Sequence, residues 1–165
     1  MRSLLLGLAC LGLLASCAKP AATDGTQAAA HPAASFDATS PYSTFELSMA
    51  RIDAMLIAQS SMAAAVKQDP SLASAMKPVE GEDGVRYAQR LEATPALRAA
   101  IEKSGLTARD YVLTSEALVT ALMTQEAMAS GKLKAIPRGV NRQNVEFVRA
   151  NREALAARFA AYQRG

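Results

Sequence analysis

Tryptophan is absent from this chain, aromatic residues make up only 5% of it, and histidine occurs once, as His31. A single histidine excludes a histidine-rich metal site. This one stands before Pro32 in an alanine- and proline-rich stretch, without the rigid setting that a catalytic base or haem ligand needs. Neither G-x-x-x-x-G-K-[ST] nor G-x-G-x-x-G occurs, so the P-loop and the dinucleotide fingerprint are both missing. Charge is modest as well. A formal +3 over 165 residues favours solubility and lacks the clustered basic footprint of a nucleic-acid partner. No segment alternates apolar and polar residues long enough to read as a strand. What the chain has instead is alanine and leucine with scattered Met, Glu and Arg, residues that favour helix by intrinsic propensity.

The N-terminus is the most specific passage. Arg2 precedes an apolar run, LLLGLACLGLL at 4–14, and the small residues Ala15 and Ser16 follow. That is the layout of a secretory signal, too short to remain as a membrane-spanning helix. Leu14-Ala15-Ser16-Cys17 resembles the lipobox of bacterial lipoproteins, Leu-(Ala/Ser)-(Gly/Ala/Ser)-Cys, without a departure. The competing reading is a plain secretory signal with a chance cysteine.

The resemblance implies that Cys17 receives a diacylglycerol through its sulfur, that cleavage follows before it, and that its new amino group is acylated. Each buried methylene contributes roughly 0.8 kcal/mol, so three chains make a lasting anchor where one binds marginally. Ala18 stands where aspartate would resemble an inner-membrane retention signal, which implies the periplasmic face of the outer membrane. Cys10 would leave with the signal and Cys17 would be alkylated. The mature protein would then have no thiol, disulfide or C-x-x-C-H site, and no Cys-His pair.

Residues 18–41 are rich in Ala, Pro, Ser and Thr and lack apolar periodicity. They bury too little surface to offset their ordering entropy and read as a disordered spacer. Its r.m.s. reach is roughly 27 Å, from about 5–6 Å times the square root of the residue number. The expected division is therefore a signal at 1–16, an anchored linker at 17–41 and a helical domain at 42–165.

Within that domain the punctuation predicts an all-α bundle. Ser43-x-x-Glu46 is a capping box expected to open a long helix reaching Lys67 or Gln68. Asp69-Pro70 starts a short helix to Met76, and KPVEGEDG at 77–84 is a loop. Further helices are expected at 83–91, from Thr94-Pro95 to Gly105, and from Thr107-x-x-Asp110 to Gly131, with Gly131 as the residue after the C-cap. Asn141 caps a last helix that runs almost to the end. The apolar stripes lie on the first, the long middle and the last helix. Phe45, Met49, Ile52 and Leu56 mark the first; Tyr111, Leu118 and Leu122, widened by Val112, Val119 and Met123, mark the second; Val145, Val148, Leu155 and Tyr162 mark the third. These three helices are expected to carry the core.

Some residues interrupt the pattern. Ala50, Ala54, Ser61 and Ala65 line up with Ile57 in a small-residue ridge behind the first stripe, either a close contact with another helix or a partner, or an alanine-rich solvent face. Glu126 and Arg152 fall by helical angle within apolar faces. Either each answers the other's charge across an interface, or each reaches water near a bundle end. Met49, Met55 and Met62 at near-helical spacing read as core filler rather than a copper site. Glu80, Glu82 and Asp83 lack the aromatic platforms of a sugar site and read as a solvated loop. The arginines of the last helix are spaced against glutamates, as in Arg142 to Glu146 and Arg149 to Glu153.

KSGLTARDYVLTSEAL and NRQNVEFVRANREAL, within the last 60 or so residues, are similar to stretches of small bacterial envelope proteins that carry a Gly-Leu-(Thr/Ser) start before Tyr and a later Asn-Val-x-Phe-Val. That resemblance implies one folded unit and no activity, so no functional residue follows from it. The reading is a lipid-anchored envelope protein that binds or scaffolds without catalysis or cofactor. The alternative is a carrier or chaperone-like module holding an apolar ligand between its helices. Partner and oligomeric state are open.

Overall fold

A computed structural model describes residues 43–164; the signal, Cys17, His31 and the spacer lie outside them. Every regular element among the described residues is helical: α1 Met49–Gln68, a 3-10 turn Pro70–Leu72, α2 Ala73–Met76, α3 Gly84–Ala93, α4 Pro95–Glu102, α5 Ala108–Ala129, α6 Arg142–Ala150 and α7 Arg152–Arg164. The expected all-α fold is present.

Local cap chemistry explains most of the boundaries. Asp69, Asp83, Thr107 and Asn141 each accept a hydrogen bond from a backbone N–H two or three residues on, at Ser71, Arg86, Asp110 and Gln143. Past the end of α5, Gly131 takes φ +73°, a left-handed conformation costly for any residue with a Cβ.

The first boundary differs from the expected one. Ser43 and Glu46 do not open α1, which begins at Met49 behind Ser48, whose side chain accepts from the Arg51 N–H. Residues 45–47 are held extended by a contact from almost a hundred positions away. The buried Asn144 side chain accepts from the Leu47 N–H at 2.9 Å and donates to the Phe45 carbonyl at 2.8 Å. Asn141 Nδ2 donates to the same carbonyl at 3.0 Å. The Phe45 carbonyl and the Leu47 N–H are thereby withheld from a helical turn.

The last helix also differs. Asn151 breaks it in two, with φ −108° and ψ 19°, while its side-chain amide donates to the Phe147 carbonyl at 2.8 Å. An asparagine that bonds its own preceding turn competes with the helix ladder.

The core is more evenly shared than the stripes predict. Ile52 and Met62 of α1, Leu91 of α3, Leu97 and Ile101 of α4 and Leu155 of α7 have no more than 2% of their surface exposed. The most extensive helix contact is α1 against α4, so a short helix expected to be peripheral is central. Met55 and Met62 are core residues, as their filler reading anticipates. Ala54 packs against the core while Ile57, on the same ridge, is exposed. Val119 and Met123 also depart from expectation: at 51% and 69% exposure they lie outside the core.

Candidate functional site

A groove of about 820 Å³ opens between α3, the end of α4 and the start of α5. Its origin lies in residue size. Gly84 and Ala88 on α3 face Ala108 and Val112 on α5, and all four are buried. Small side chains on facing helices leave a trough where larger ones would interdigitate. Val85, 56% exposed, forms one lip, and Leu113 flanks the other. The charged and polar side chains that line it, Gln89, Glu92, Glu102, Thr107 and Arg109, are all exposed and stand at the mouth. Glu102 has an i,i+4 partner in Arg98, 3.9 Å away. Neither Glu92 nor Arg109 takes part in an ion pair among the described residues. Such a trough can desolvate an apolar guest. It brings no nucleophile, base and oxyanion donor together.

The densest polar cluster lies elsewhere. Arg90 of α3 donates to both carboxylate oxygens of Glu82, and to the carbonyls of Ser74, Ala75 and Lys77. Its guanidinium lies over the Tyr87 ring, 5.1 Å from the centroid. Tyr87 completes the knot by donating to the Met76 carbonyl at 2.5 Å. The Arg90 hydrogen bonds hold the Glu82 carboxyl below its usual range, helped by the Val79 N–H. Burial pushes the Tyr87 phenol up to about 12, and Tyr111 is also raised by burial. Every donor here has an acceptor within the protein, so the knot fixes the 77–83 loop and leaves no ligand-facing group. Glu82, expected in a solvated loop, is instead only 12% exposed in its side chain.

No known protein family, curated protein or solved structure matches the chain. Its reading therefore rests on its own residues.

Cys17 lies outside the described residues. Glu126 and Arg152 lie on α5 and α7, both exposed and in no ion pair among the described residues, in line with each reaching water. Within α7 it is Arg158 that pairs with another helix: its Nε donates to Asp53 of α1 at 2.6 Å. Among the described residues no three His, Cys, Asp or Glu side chains gather as metal ligands, and no helix is long and apolar enough to cross a membrane. The groove is the feature sequence reasoning missed. Its one signal was the pair of small residues Gly84 and Ala88, one turn apart on α3.

Proposed function

We propose that this chain is a lipoprotein of the bacterial envelope, anchored at Cys17 on the periplasmic face of the outer membrane. Its helical unit binds or scaffolds an apolar guest through the α3–α5 groove and performs no catalysis. The groove carries the binding half of the reading: an apolar floor with its charges confined to the mouth suits recognition by burial rather than bond-making. The lipobox carries the anchoring half.

Two measurements test the halves separately. Cys17→Ser is expected to move the protein from the membrane pellet to the soluble fraction; retention in the pellet overturns the anchor. In dilute solution, anilinonaphthalene sulfonate is expected to saturate at one site per chain, and Val85→Arg at the exposed lip to abolish that site without lowering Tm. Unchanged probe binding in that variant overturns the groove as the binding surface. The carrier reading is favoured by one observation, a volume within the roughly 300–1,000 Å³ of small-molecule pockets. A ligand found in native mass spectra of the purified protein would support it.

A further inference from the structure

The groove is one end of a longer surface. On α5, Arg109, Val112, Glu116, Val119, Met123 and Glu126 recur at alternating spacings of three and four, the seam of a helix made to pack along another. α3 has 10 residues and α5 has 22, so α3 covers this seam only where the groove lies. Beyond it Val119 and Met123 stand exposed on the same face. The seam thus presents a hollow at its N-terminal half and protruding apolar side chains at its C-terminal half.

Its charges are arranged in the same way. Arg109 stands at the start of the seam and Glu126 at its end, about 26 Å apart at 1.5 Å per residue. Both are exposed and neither takes part in an ion pair among the described residues. Reversing the helix against itself brings Arg109 opposite Glu126, Val112 opposite Met123 and Glu116 opposite Val119. A small amphiphile confined to the hollow would leave Val119 and Met123 in water. An antiparallel copy covers both halves at once and answers both charges.

We propose that the α3–α5 groove and the Val119–Met123 stripe are the two halves of a self-complementary surface on which a second copy of this chain docks, α5 antiparallel to α5. Met123 of each copy enters the groove of the other above Val112, and Arg109 pairs with Glu126 twice across the two-fold axis. The interface is isologous, so the two contacts come together and close the assembly at two. Two Glu116 side chains fall near the axis. Each is half-buried and already engaged within its own chain, and the two cross-pairs outnumber that one repulsion.

This deepens the binding reading by naming the occupant, and it rests on the groove being a docking surface. The test places a photocrosslinking benzophenone residue at Val119 in the full chain, in intact membranes. The expected product has twice the mass of the chain. Arg109→Glu or Glu126→Arg alone, each at an exposed site, should weaken the yield at least about tenfold by opposing like charges, with unchanged far-ultraviolet dichroism. The double reversal, Arg109→Glu with Glu126→Arg, should restore it. Single reversals without effect, or a double reversal that fails to rescue, overturn the proposed register. An adduct of any other mass overturns the second copy while the groove survives as a docking surface for another protein. No adduct, with saturable probe binding that Val85→Arg abolishes, overturns the second copy and keeps the binding reading. Absence of both adduct and probe binding overturns the two together.

Discussion

Asn144 shows how much one side chain can decide. It is 3% exposed and bonds the Leu47 N–H and the Phe45 carbonyl. Asn144→Ala strands a buried backbone donor, at a cost of about 2 kcal/mol, to be read from the urea midpoint at unchanged slope. The caps at Thr107 and Asn141 were legible because the accepting side chain and the donating N–H sit within three residues of each other. Ser43-x-x-Glu46 has the same local chemistry, yet α1 starts at Met49, since the deciding partner is 97 positions away in Leu47–Asn144. Nothing local announces such a bond.

The tyrosines give a second residue-level test. Tyr87 and Tyr111 are both raised by burial, so each favours its neutral form in the folded state. Stability from Tyr87 is fully present below the ordinary phenol value near 10 and is lost as pH rises toward about 12. Phenolate absorbance should accordingly rise late and together with unfolding, and Tyr87→Phe should remove part of the late step.

At the scale of the element, the 77–83 loop depends on a helix that follows it. Arg90 reaches back from α3 to two carbonyls of α2, the Lys77 carbonyl and one carboxylate, a planar fork of donors that a lysine ammonium does not reproduce. Arg90→Lys should therefore leave the helices intact and open the loop to a glutamate-specific protease at Glu80. Acid should do the same to the native protein. Glu82 has a lowered pKa, so its contribution is present above the usual carboxylate range and is lost as pH falls through that lowered value. Pepsin cleavage within 77–83 checks it.

Helix periodicity found α5 and its two faces but not where its neighbours end. Val112 and Val119 share one face; Val112 is 2% exposed under α3 and Val119 is 51% exposed beyond it. The same blindness hid the importance of α4, whose eight residues carry too short a stripe to stand out although Leu97 and Ile101 are fully buried. The groove was illegible for a related reason. It is made by what Gly84 and Ala88 lack, and an absent side chain is a signal only once the facing helix is known.

For the molecule as a whole, the sequence speaks most specifically at an end that the described residues do not include, and the structure speaks at the other. Between them lies a division of labour. The helical unit is bound together by burial shared among seven helices, with ion pairs such as Arg158–Asp53 at its surface. No disulfide joins the described residues, for they contain no cysteine.

That makes the clamp at Phe45 and Leu47 mechanically important. A pull arriving from the N-terminal side meets three hydrogen bonds to α6 and its cap Asn141 before it reaches the first turn of α1. Tension would be shunted into the far end of the chain instead of peeling the bundle from its first helix. In an optical trap, the wild type should rupture in one high-force event, and the Asn144→Ala protein should unzip from α1 at lower force. A molecule that is tugged at one end would in this way resist like a knot, because its earliest residues are fastened to some of its last.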